Sequence, residues 1–163
     1  SKALGGGLPI SAVIGRKEIL SEWGPGAYVS TQAGNALACA AGNIVIDKLN
    51  SKEFMKKVNQ RGKQLFKGLK ELQKKYPIIG FIDNCGLYTG IELVRDRKTK
   101  QPADIESNYV RDLCVNHGLL FEKGGYYHNR MQLIPPLNVE PEVIEKCIEI
   151  LDDVFNQTKI KFQ

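Results

Sequence analysis

What this sequence has little of narrows its chemistry first. Histidine occurs twice, at His117 and His128, and tryptophan once. The four cysteines, Cys39, Cys85, Cys114 and Cys147, lie far apart and form no C-x-x-C pair. No compact zinc knuckle can be built from sequence neighbours, so no metal site is expected. Scattered thiols, two of them on apolar faces of predicted helices, suit a reducing compartment, and a cytoplasmic location is expected. No stretch approaches the ~20 apolar residues of a spanning helix and no secretory leader pattern is visible, so no membrane is expected as a partner. Net charge is +5, but the lysines between Lys52 and Lys75 are interleaved with other residue types and form no basic block with aromatics. That pattern reads as a solvated helix face, and no nucleic-acid partner is expected. The hydrophobic share of 42% over 163 residues is nonetheless enough for an ordinary core.

What is there is concentrated at the start. Ser1-Lys2-Ala3-Leu4-Gly5-Gly6-Gly7-Leu8-Pro9 sets a lysine at the edge of a triple glycine. Glycines let the backbone take positive φ and let another group approach closely. The apolar run Ile10-Ser11-Ala12-Val13-Ile14-Gly15 reads as a buried strand. The phosphate-loop patterns do not fit. The Walker motif needs its lysine after the glycines, and here Lys2 precedes them. The dinucleotide fingerprint needs a glycine where Ile10 stands. Taken bare, a lysine before glycines is a solvated side chain.

Residues 1–15 together closely resemble the lysine motif of class III aminotransferases. Ser30-Thr31-Gln32-Ala33-Gly34-Asn35 and Leu133-Ile134-Pro135-Pro136-Leu137 match two further motifs of that family, in the right order and separation. The resemblance runs essentially from Ser1 to the last helix. It implies an α/β protein of the pyridoxal-phosphate-dependent transferase fold type I. Residues 1–76 would end the large cofactor-binding domain with its interdomain helices, and residues 77–163 would form the small C-terminal α/β domain, whose elements read as α+β. It also implies a C-terminal fragment of a longer enzyme, inactive alone, because the family's acid for the pyridine nitrogen precedes the lysine.

The remaining chain divides into recognisable elements. A short helix is expected over Lys17–Trp23, stopped by Gly24-Pro25-Gly26. Residues 35–49 read as a helix rich in small residues, and Ser51 as a cap for the helix over 52–75. In that helix Phe54, Val58, Leu65, Leu69 and Leu72 recur at one-face spacing, and Pro77 ends it. Strands are expected over 78–83 and 87–94, with a turn at Asn84-Cys85-Gly86 and a charged surface loop over 95–102. A helix over 104–117 follows, with His117 at its C-terminal end and Gly118 as its stop. Short strands at 119–122 and 130–134 precede a last helix opened by Pro141. Its expected buried stripe is Ile144, Cys147, Ile148, Leu151, Val154 and Phe155.

The resemblance assigns chemistry residue by residue. Lys2 matches the lysine that forms the Schiff base with pyridoxal 5'-phosphate, a role that demands a primary amine, unprotonated when it attacks. Thr31, beside Ser30, matches the threonine that binds the cofactor phosphate and, in the family, reaches the cofactor of the partner subunit. A helix N-cap is the competing reading of Thr31. Ala36 stands where the family usually has proline. Many members grip the substrate carboxylate with an arginine three residues before the first proline of Pro-Pro-Leu. Here Gln132 holds that position, and Arg130 lies two residues earlier. Period two puts Arg130 and Gln132 on one strand face, roughly 6.5–7 Å apart. Arg130 therefore reads as a clamp from a shifted position, a clamp lost, or a solvated side chain. The implied partners are a small-molecule amino donor and a 2-oxo acid acceptor, with a homodimer whose active site lies at the subunit interface. A racemase, epimerase or decarboxylating relative of the same fold shares the lysine and phosphate sites. A non-enzymatic basic domain would require Lys2 and Thr31 to be incidental.

Overall fold

The computed structural model describes residues 1–162. It divides into two compact units, one over 1–55 and one from Lys56 onward. The first unit begins with a 3₁₀ turn, Lys2–Gly5, followed by α1 (Lys17–Leu20) and α2 (Ala36–Asn50). Asn35 caps α2, its Oδ1 accepting from Leu37 N at 3.1 Å and Ala38 N at 3.2 Å. The small-residue stripe of α2 receives the glycine loop. Gly42 leaves room for the Leu4 carbonyl, and Ile10 lies so close to Gly5 that a Cβ there would meet its Cγ2 at 2.8 Å. Little else is covered: Gly5, Ala38 and Gly42 are the buried residues of this unit. The strand expected over Ile10–Gly15 does not form, and Ile14 is 96% exposed. A strand exists only when a neighbour completes its ladder, and this unit contains no other strand.

Helix α3 (Lys52–Lys75) starts at Ser51, whose Oγ accepts from Phe54 N at 3.3 Å. In the second unit its stripe Val58, Leu65, Leu69 and Leu72 is buried as the spacing predicts. The helix ends against an arginine. Arg97 donates to the Gln73 carbonyl, to Tyr76 O at 3.0 Å and to Pro77 O at 3.0 Å. Carbonyls left open by the helix end are thereby satisfied. Beyond it come β1 (Ile79–Cys85), β2 (Tyr88–Asp96), the two-residue β3 (Gln101–Pro102), α4 (Asp104–Asn116), β4 (Glu122–Gly124), β5 (Arg130–Leu133) and α5 (Pro141–Phe162). His117 caps α4 at its C-terminal end, as expected.

The sheet is antiparallel throughout, in the order β1-β2-β5-β4 with β3 on β2. The β1–β2 hairpin turns at Gly86-Leu87, with Gly86 at φ 61, one to two residues later than expected. Asn84 sets the turn by donating to Gly86 O at 2.6 Å and Thr89 Oγ1 at 2.7 Å. β3 forms within the expected loop, and β4 lies three residues later than the expected strand.

One sheet face carries Ile79, Ile82, Ile91, Leu93, Met131 and Leu133, all buried. Helix α5 contributes Ile144, Leu151, Val154 and Phe155 to this core. Each such side chain stabilises by about 1.5–3 kcal/mol when fully buried. Helices α3 and α5 run side by side in the same direction. Gln64 bonds Pro141 O at 3.1 Å, Gly68 admits Ile148, and the Tyr76 ring lies 5.7 Å from Phe155. The thiols of Cys114 and Cys147 are pushed up by burial, to about 12 and about 11, which leaves them unreactive. The compact units meet inside α3, whereas the sequence reading divides the chain at Tyr76–Pro77. The first partition follows packing, and the second is placed where the composition changes after the long helix.

Candidate functional site

In the first unit the glycine loop presents Lys2. The lysine takes a left-handed backbone, φ 65, which is uncommon for a residue with a Cβ. Gly6 and Gly7 follow at φ 58 and 113, and Gly6 N bonds Ala3 O at 3.0 Å. These glycines are required: any side chain there would be strained. Lys2 lines a cleft of about 460 Å³ with Pro9, Ile10, Ser11, Tyr28, Ser30, Gln32, Gly34 and Asn35. With Ser1 also on the wall, the cleft offers one lysine amine, three serine hydroxyls, two amides and a phenol, and no carboxylate.

Lys2 and Ser30 are brought together on this cleft. Thr31 lies in the adjoining turn, exposed, and is not part of the wall. The turn is held by Ala33 N to Ser30 O at 3.0 Å and Asn35 N to Gln32 O at 3.1 Å. The competing reading of Thr31 as a helix cap is excluded, because Asn35 caps α2. Tyr28, Ser11 and Gln32 were not singled out from sequence. Ser11 and Gln32 lie inside the two motifs but carried no role of their own, and Tyr28 lies two residues before the second.

The second unit has its own polar feature, on the sheet face opposite the core. Arg130 and Gln132 share that face, as period two predicts, while Met131 and Leu133 are buried. The face is not flat. Gly90 pairs with both Asp83 and Gln132 across the sheet, and Gly124 pairs with Arg130. A Cβ on Gly90 would sit 2.1 Å from Arg130 Nη2, and one on Gly125 would sit 3.0 Å from Arg130 Cβ. Arg130 therefore runs through a trough opened by missing side chains. It ends at Asp83, with Nη2 2.5 Å from Oδ1. This hydrogen bond holds the Asp83 carboxyl below the ordinary carboxylate range. Gln132 is steadied by a 3.4 Å contact from the Tyr88 hydroxyl. Asp83, Gly90 and Gly125 were invisible to sequence reasoning because only the strand register joins them to Arg130.

A class III aminotransferase family model matches residues 1–155. The chain belongs to that family. Acetylornithine aminotransferase of Caldanaerobacter subterraneus is 35% identical over 98% of this chain and 37% of its own length. Leucine/methionine racemase of Thermococcus litoralis is 35% identical over 93% of this chain and 34% of its own. A solved Arthrobacter phospholyase in complex with phosphoethanolamine superposes with a TM-score of 0.83. It is 27% identical and covers 95% of this chain and 37% of that one. The chain thus spans about a third of the length of the curated relatives it matches. Class III aminotransferases use pyridoxal phosphate. The Lys2 cleft fits part of such a group, with an amine for its aldehyde and hydroxyls for its phosphate. It supplies no acid for the ring nitrogen.

Proposed function

We propose that this chain is the C-terminal part of a pyridoxal-phosphate-dependent aminotransferase. The whole enzyme would move an amino group from an amino acid or amine to a 2-oxo acid. The observation that carries the reading is Lys2, fixed by a strained turn on the wall of a cleft that also holds Ser30. Lys2 Nζ would hold the cofactor and would carry a proton to and from the substrate Cα. Bound pyridoxal phosphate supplies the electron sink for the bond broken at that carbon. Ser30 donates to the phosphate. Thr31, exposed beside the cleft, serves the cofactor of a second subunit in a homodimer. Residues 1–76 belong to the large domain and 77–163 to the small one. No described helix is long and apolar enough to cross a membrane, and the enzyme acts in the cytoplasm. Arg130 takes the place of the family arginine that Gln132 has replaced, and binds the substrate carboxylate.

The test is product stoichiometry in the full-length protein. One 2-oxo acid should form per amino donor consumed, and Lys2→Ala should abolish turnover. Turnover that survives Lys2→Ala would overturn the assignment. A second reading, a racemase, is favoured by the Thermococcus relative. Inversion of an amino acid without oxo-acid release would establish it instead.

A further inference from the structure

Gln32 lines the cleft that holds Lys2 and Ser30, and its amide is oriented by hydrogen bonds that start at helix α2. Asn35 Oδ1 accepts from Leu37 N and Ala38 N. Only the oxygen of a side-chain amide can accept, so Asn35 Nδ2 is the end turned away from the helix. It donates to Gln32 Oε1 at 3.2 Å. The same logic then passes to Gln32. Its oxygen is engaged by Asn35, and Nε2 has no hydrogen-bond partner among the described residues. An amide that could donate or accept is thereby presented as a donor. The backbone is fixed as well, through Ala33 N to Ser30 O and Asn35 N to Gln32 O, so Gln32 keeps a set offset from Ser30. The cleft wall carries no carboxylate that would compete for the donor. A ligand group that is negatively charged and made only of acceptors suits this arrangement, and a phosphate is such a group.

We propose that Gln32 binds the phosphate of pyridoxal phosphate beside Ser30, and that Asn35 is the positioning residue that holds Gln32 as a donor. This inference rests on the reading of the Lys2 cleft as the cofactor site. Gln32 adds a charge-assisted hydrogen bond without placing a second charge near Lys2. Asn35 does not touch the cofactor and acts through the Gln32 amide.

The test uses the full-length protein freed of cofactor, titrated with pyridoxal phosphate and, as the control without a phosphate, with pyridoxal. Binding is read by absorbance of the bound cofactor. Gln32→Leu should weaken pyridoxal phosphate about tenfold, the scale of a hydrogen bond to a charged group, and leave pyridoxal unchanged. Gln32→Glu still accepts from Asn35 but sets a negative charge against the phosphate, so it should weaken pyridoxal phosphate more than Gln32→Leu does. Asn35→Ser keeps a residue that caps helices well but removes the Nδ2 donor. It should weaken pyridoxal phosphate by about threefold, and should change nothing more once Gln32→Leu is present. Equal losses for both ligands in Gln32→Leu, or none for either, would overturn the phosphate role. An Asn35→Ser loss that persists beside Gln32→Leu would overturn the positioning role. If Lys2→Ala binds both ligands as tightly as the unaltered protein, the reading of the cleft as the cofactor site falls and the inference with it.

Discussion

The two compact units differ in what they do with their apolar residues. From Lys56 onward, stripes on α3 and α5 and one face of the sheet close into a core in which Leu69, Ile91, Leu151 and Phe155 are fully covered. Residues 1–55 are no less apolar locally, yet Val13, Ile14, Tyr28, Leu37 and Ile44 stand 69–96% exposed. In the first unit, close packing is reserved for the seat of the Lys2 loop on α2. Such apolar surface marks contact with other protein. The second unit has a core of its own, whereas the first is a glycine loop seated on one helix.

The largest expected effect that would break this contrast is in the second unit. In the 163-residue chain, Phe155→Ala should lower unfolding free energy by about 3–5 kcal/mol, read by denaturant titration. Ile44→Ala, at a site 69% exposed, should change it by less than about 0.5 kcal/mol. Equal losses would show that both units share one core. Next, Gly62→Ala places a Cβ 2.5 Å from the Gly86 backbone, where neither side can yield cheaply. It should cost about 1–3 kcal/mol in the same titration. Asn35→Ala, which removes the cap of α2, should cost that helix about 0.5–2 kcal/mol. The loss should appear as faster amide exchange over 36–40, with α3 and α5 unchanged.

The smallest effect is electrostatic. Burial works to raise the Asp152 carboxyl, but hydrogen bonds from Lys75 and Tyr76 outweigh it and hold the group below its ordinary range. A depressed carboxyl contributes stability that is present above its unfolded value of about 3.9 and lost as pH falls through its folded value. The melting temperature of the second unit should therefore drop below about pH 4, and Asp152→Asn should flatten part of that drop. An unchanged slope would remove Asp152 from the account.

Long helices were legible because their apolar residues repeat on one face: α3 ends at the residue expected, and α5 begins at Pro141. The Lys2 and Ser30 motifs were legible as pattern, and the structure sets both on one cleft. Illegible features depend on neighbours distant in sequence. Ile10–Gly15 has the composition of a strand but no partner strand in its unit. The Arg130–Asp83 contact joins residues 47 apart, through a register that no local pattern announces. The shift of the hairpin turn to Gly86-Leu87 came from Asn84, whose side chain bonds the turn instead of forming it.

The first unit's exposed apolar surface also implies that the 163-residue chain, purified alone, should show no transamination. The most direct test of the central assignment is chemical. The full-length protein, loaded with pyridoxal phosphate and reduced with borohydride, should yield after proteolysis one pyridoxyl-modified peptide, carrying the label on Lys2. Label on another lysine, or no label at all, would contradict the account.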